Sequence, residues 1–228
     1  MKVDLHTHSN ASDGALSPAQ VVELAATCGV ELLALTDHDT VRGLAEAQQA
    51  AERFRLRFVP GVEVSVLWNE CTIHVVGLGV RYAGGSLARE FDGVGPARLA
   101  RGREIAVRLA ELGFPGAYEG ALRFCSQPES LGRAHFGRWL YAQRHVASVA
   151  EAFELYLGEG CPAYVSAPWP SLADGVALIG EYGGTAVLAH PGRYHLKGHT
   201  LRELAVDFRA AGGRVTLTGE MIGSSMSK

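Results

Sequence analysis

Over the first 85 residues, short apolar runs alternate with amphipathic stretches. MKVDLH, VELLALTDHD, RFVPGVEVSV and TIHVVGLGV have the alternating or continuous apolar character of strands. SPAQVVELAATCG and TVRGLAEAQQAAERF, between them, carry apolar residues at helical spacing. Ser17 is placed to cap the first of these helices. Pro18 suits its first turn, Gln20 completes a capping box and Gly29 can end it.

The pattern changes from about Ser86 to Gly160. SLAREF, ARLARGREIAVRLAELG and VASVAEAFELYLG read as helices rich in Arg and Glu, with no strand between them. Alternation then resumes with the helix SLADGVALIGEYGG, the strand TAVLAH and the helix TLRELAVDFRAAGG, where Thr200 and Glu203 form a second capping box. The pattern predicts an α/β fold with a mostly parallel sheet and a helical insertion. Its expected parts are 1–85 (first part of the sheet), 86–160 (insertion or cap) and 161–228 (second part, incomplete).

Composition narrows the classes. With 228 residues, 47% of them hydrophobic, the chain can bury a sizeable core. A net charge of -3 provides no basic field for duplex DNA. No apolar run reaches the roughly 20 residues a membrane span needs, and no secretory leader is legible at the start. Four scattered cysteines without a CxxC pair read as buried hydrophobes in a reducing cytoplasm.

The chemistry lies where strands end. In DLHTHSNASDG, His6 and His8 alternate with Leu5 and Thr7, so both imidazoles project from one face together with Asp4. Asp13 follows in a loop that Gly14 lets turn back. LTDHD brings Asp37, His38 and Asp39 to the end of a second strand. GVEV puts Glu63 inside an apolar strand, TIHVV does the same with His74, and AHPGR ends a strand with His190. Any one such histidine is more often a satisfied core residue. Five strands read as parallel, each presenting one ligand-type side chain at a common face, point to a site. Imidazole and carboxylate without thiolate suit Mn²⁺, Zn²⁺ or Fe²⁺. So many donors imply two or three ions, of the kind that generate a hydroxide for phosphoester hydrolysis. Asp37 is expected to orient a ligand histidine from behind. Arg193 is expected to clamp phosphate, with Arg133 and His135 completing the pocket. His145, His195 and His199 read as surface, and Trp68, Trp139 and Trp169 as packing residues rather than base-stacking platforms.

Taken together, DLHTHS with Asp13, LTDHD, GVEVS, HVVGLG and AHPGR resemble the PHP (polymerase and histidinol phosphatase) superfamily over residues 1 to about 213. The resemblance implies a distorted (β/α)7 barrel with a trinuclear metal site. One ion would take His6, His8 and Glu63, a second Asp13 and His38, and a third His74 and His190, with Glu63 bridging. GRAHFGRWL after a helical insertion, with AHPGRY, is similar to the branch of 3',5'-nucleoside bisphosphate phosphatases and 5'-to-3' exoribonucleases. This implies a cytoplasmic hydrolase that acts on a small phosphorylated substrate, a nucleotide or short RNA, with Arg133, His135 and Arg193 in the phosphate pocket. A histidinol-phosphate-type phosphatase is the alternative within the class. A final Asp-x-His, which the family supplies from a late strand, has no counterpart here. After Gly213 the chain reads RVTLTGEMIGSSMSK, in which Glu220 is the only carboxylate. The expectation is therefore a barrel truncated at its C-terminus, with an impaired metal-binding module as the second alternative.

Overall fold

The computed structural model describes residues 1–194, 196 and 199–214. His195 and the segment with Glu220 lie outside them. Strand β1 (Val3–Thr7) leads to helix α1 (Pro18–Thr27), β2 (Leu32–Leu35), α2 (Leu44–Phe54), β3 (Arg57–Trp68) and β4 (Cys71–Leu78). The helical run contains α3 (Ser86–Glu90), α4 (Val94–Glu111), α5 (Ala117–Leu122), α6 (Arg133–Ala142) and α7 (Val149–Ala152), the last running into a π-helical turn over Phe153–Leu157. Helix α8 (Leu172–Glu181), strand β5 (Thr185–Leu188) and helix α9 (Leu201–Ala210) follow. None of the described helices is long and apolar enough to cross a membrane.

The five strands form one curled sheet in the order β1-β2-β3-β4-β5, a half-barrel in outline. Strands β1, β2 and β3 run parallel, but β4 is antiparallel to both β3 and β5. This corrects the expectation of five parallel strands. The cause is local: Asn69 and Glu70 both have positive φ, 46° and 63°, and join Trp68 directly to Cys71 in a two-residue hairpin turn. Asn tolerates that conformation, but no glycine marks the turn in LWNECT. His74 therefore reaches the site from a strand that runs opposite to its neighbours.

Both capping boxes form. The Ser17 and Thr200 side chains accept from the backbone N–H groups of Gln20 and Glu203, and those side chains accept from the cap N–H groups in return. The sheet and its flanking helices enclose one core, in which Leu33, Leu35, Leu44, Val66, Ile73 and Phe208 are buried. A second cluster inside the helical run buries Ile105, Leu109, Phe136, Leu140 and Leu157. Trp68, Trp139 and Trp169 are all buried, as packing residues should be. Of the four free cysteines only Cys71 is buried; the others are half-buried. His145 and His199 are exposed, although their rings rest on Phe114 and Trp68 respectively.

Helix α8 presses closely on β3 through a glycine. A Cβ at Gly175 would lie 2.3 Å from a methyl carbon of Val66 in the strand below. Gly175→Ala should therefore cost about 1–3 kcal/mol despite the better helix propensity of alanine. Urea denaturation would show a lower midpoint; an unchanged or raised one would mean that the two layers can separate freely.

Candidate metal centre

Glu63 sits halfway along β3, flanked by β2 and β4, and is 0% exposed. Five imidazoles surround its carboxylate. His6 Nε2 and His8 Nε2 lie 2.9 and 3.0 Å from Oε2, and His38 Nδ1 lies 3.4 Å from it. On the other side, His190 Nε2 and His74 Nδ1 lie 3.1 and 3.3 Å from Oε1. Asp13 closes the group at 3.7 Å from His8 Nδ1 and 3.9 Å from His38 Nε2. All seven residues singled out as metal ligands thus converge on one place. Their distances pair His6 with His190 and His8 with His38, each pair sharing Glu63.

Local structure explains how they arrive. The β1–β2 pairing slips between Asp4 and Thr7, a bulge that re-aims the strand end just where His6 and His8 emerge. The Asp4 carboxylate accepts from the His6 N–H at 3.4 Å rather than joining the cluster. The β1–α1 loop doubles back tightly, since a Cβ on Gly14 would lie 2.4 Å from the His8 carbonyl oxygen. His190 has φ 27° and ψ 56°, a conformation that costs a non-glycine residue energy. Tyr194 stabilises it: its hydroxyl donates to the Ala189 carbonyl at 2.7 Å and accepts from the His74 N–H at 3.0 Å. Burial raises the pKa of that phenol, so it stays a donor.

The electrostatics is that of a carboxylate kept charged. Burial opposes ionisation of Glu63, but His38 and the hydrogen bonds from His190, His6 and His74 outweigh it and hold its pKa well below the usual range. Burial also opposes the charge on Asp13, yet His38 and His8 bring its pKa down to about 2. His8 resists its own burial through Glu63 and Asp13, and its pKa rises to about 9. His38, penalised chiefly by burial, falls to about 3 and stays neutral.

The donor set fits divalent cations. A neutral imidazole has one N–H, and two carboxylate oxygens cannot accept well-directed bonds from five rings. Accordingly, Nδ1 of His8, His38 and His190 are buried without a hydrogen-bond partner. Five imidazoles packed around one carboxylate, with ring nitrogens left unpartnered, form a donor set that divalent cations would satisfy.

The surroundings hold several departures from the sequence reading. Asp37 does not orient a histidine; it accepts from Ser9 N–H and Oγ at 2.7 and 2.6 Å and from Ser12 Oγ at 2.6 Å. It therefore fixes the loop that carries Asp13. Asp39 plays the same part for β3, accepting from Ser65 N–H and Oγ and from the Arg98 guanidinium. Arg98 and Arg138, which donates to the Asp13 carbonyl, tie the helical run to the metal loops; sequence reasoning singled out neither. Their partners are far away in the chain, so no local pattern reveals them.

The three residues expected around the phosphate lie on two segments, Arg133 and His135 on α6 and Arg193 after β5. His135 is buried beside Asp13, and burial lowers its pKa to about 4. Its Nδ1 accepts from the Gly132 N–H, so the ring proton is on Nε2. Arg193 is exposed in the turn directly after His190. The Arg133 guanidinium lies by the rings of Phe153 and Tyr164 and donates to the Leu157 carbonyl at 3.2 Å.

Known proteins resemble this chain over nearly its whole length. A family model described as the PHP domain matches residues 4–124. A 3',5'-nucleoside bisphosphate phosphatase from Chromobacterium violaceum is 46% identical over 93% of this chain and 74% of its own. A 5'-3' exoribonuclease from Haemophilus influenzae is 40% identical over 93% of this chain and 77% of its own. Among solved structures, an amidohydrolase from Chromobacterium violaceum with bound sulfate and no metal superposes with a TM-score of 0.89 at 45% identity, covering 94% of this chain and 75% of that one.

Proposed function

The chain belongs to the PHP domain family, and from that membership and its histidine–carboxylate centre we propose a metal-dependent hydrolase that removes phosphate from nucleotides or from the 5' ends of short RNA. The observation that carries this reading is the ring of five imidazoles around buried Glu63. His6, His8, Asp13, His38, Glu63, His74 and His190 would hold two or three ions of Mn²⁺, Zn²⁺ or Fe²⁺, with Glu63 shared. Such ions, when bound, acidify a water molecule near neutral pH and neutralise charge on phosphoryl oxygens.

The chain's own residues do the rest. Asp37 and Asp39 anchor the loop and strand that carry the ligands, so the centre is preorganised. Arg193, exposed on the rim beside His190, is suited to bind the phosphate oxygens, and His135 holds a proton on Nε2 next to the Asp13 loop. The two curated relatives are named for nucleotide and RNA phosphoesters, and the solved relative holds sulfate, which has the tetrahedral shape of phosphate. These support a phosphorylated substrate; the cytoplasm is the setting we propose for it.

The test uses protein stripped of metal and reloaded with Mn²⁺. It should release inorganic phosphate from adenosine 3',5'-bisphosphate, and the activity should disappear with a chelator and in His6→Ala. Metal-dependent release that survives His6→Ala would overturn the assignment. Hydrolysis of amides but not phosphoesters would favour the activity named for the solved relative.

A further inference from the structure

The seam between β4 and β5 carries a tyrosine where a backbone bond is expected. The strands pair antiparallel from Leu78 with Thr185 to Val75 with Leu188, so the next residues in register are His74 and Ala189. In a hydrogen-bonded antiparallel pair, two facing residues exchange both N–H···O bonds. Here one of the two is direct, from the Ala189 N–H to the His74 carbonyl at 3.1 Å. The other passes through Tyr194. The His74 N–H donates to the phenol oxygen at 3.0 Å, and the phenol donates to the Ala189 carbonyl at 2.7 Å. The hydroxyl is thus a spacer set into the last rung of the ladder.

Two imidazoles leave from this rung. His74 belongs to it, and His190 follows Ala189 directly. His74 Nδ1 and His190 Nε2 stand 3.3 Å apart and lie 3.3 and 3.1 Å from Glu63 Oε1. Three donor atoms at mutual distances this short suit one divalent ion. Their spacing depends on the backbone that carries them, and the positive φ of His190 relaxes unless its surroundings hold it. Tyr194 supplies that hold. Its side chain reaches back over the Pro191–Arg193 turn to Ala189 and closes the loop around His190. Its ring also meets the His190 ring edge-on, with centroids 5.4 Å apart. His8 and His38, on the other carboxylate oxygen of Glu63, come from the β1 and β2 side of the sheet and take no support from this seam.

We propose that the Tyr194 hydroxyl is a positioning group. It sets the spacing of His74 and His190, and through it the affinity of the ion these two share with Glu63, while the ion at His8, His38 and Asp13 is unaffected. The inference rests on the reading of the centre as a metal site.

The experiment titrates metal-free wild type and Tyr194→Phe with Mn²⁺, following the free ion by electron paramagnetic resonance. The substitution keeps the ring and its contact with His190 and removes only the hydroxyl. One binding step should weaken by at least about tenfold, as loss of an outer hydrogen bond does, and the others should stay within about twofold. Excess Mn²⁺ should then restore phosphate release from adenosine 3',5'-bisphosphate to within about threefold of wild type, because the hydroxyl governs occupancy and not chemistry. Binding steps that all stay within about twofold of wild type would overturn the proposal. So would equal weakening of every step, or loss of the far-ultraviolet circular dichroism, since either makes the hydroxyl a contact of the whole fold. If wild type itself binds no Mn²⁺, the metal reading fails and the proposal falls with it. A wild type that binds Mn²⁺ and a variant that cannot be told from it defeat the proposal alone.

Discussion

Glu63→Gln should lower metal-dependent phosphate release by at least about 100-fold, the upper end of what even outer partners of metal ligands cost. The substitution keeps the size of the side chain and removes its charge. Glu63 belongs to both candidate ligand groups, so loss of its charge weakens both at once, whereas His6→Ala touches one group directly. Elemental analysis of the reloaded variant should show less metal per chain than wild type. The fold should persist, because glutamine can still accept from neighbouring imidazoles and the strand's backbone pairing with β4 is unaffected. Full metal content and activity in a folded Glu63→Gln protein would refute the central role of this carboxylate.

Arg98→Ala should produce the largest loss of stability among single changes in the helical run, about 3–5 kcal/mol. It leaves Asp39 buried, with its charge supported by Ser65 and without its cation. Burial opposes ionisation of Asp39, and Arg98 leads the interactions that nevertheless bring its pKa below the usual value. The double variant Arg98→Met/Asp39→Asn should recover most of the loss, since replacing both partners removes the uncompensated charge. Urea midpoints of the single and double variants decide the matter. If the double variant is as unstable as Arg98→Ala, the stacking of the guanidinium on Trp169, and not the ion pair, holds these elements together.

Much of this molecule can be read from its sequence because its chemistry interrupts its hydrophobicity. Glu63 and His74 are polar residues inside apolar strands, and His8, His38 and His190 stand where apolar runs stop. Those interruptions identified the residues that gather around one carboxylate. The capping boxes at Ser17 and Thr200 depend on neighbours three residues away, so they too were legible. The direction of β4 was not, because the Asn69–Glu70 turn lacks the glycine that usually signals a tight hairpin. Nor was the function of Asp37, whose serine partners become neighbours only once β1 and β2 pair. The setting of Arg133 was likewise hidden. Its place in a motif-like stretch drew attention to it, whereas the two aromatic rings that hold it are separated from it by 20 and 31 residues.

The seat of Glu63 on the central strand also governs how the protein breathes. Its N–H donates to the Asp37 carbonyl, its carbonyl accepts from the Asp39 N–H, and β4 pairs along its other edge. Amides held on both sides in the middle of a sheet exchange with solvent only when the whole domain opens. The Glu63 carboxylate is therefore expected to sit on slowly exchanging backbone, while His6, His8 and His190 lie at or just past strand ends, where opening costs less. Hydrogen exchange should accordingly be slower at the Glu63 amide, the post around which the histidines are arranged, than at the amides of His8 and His190.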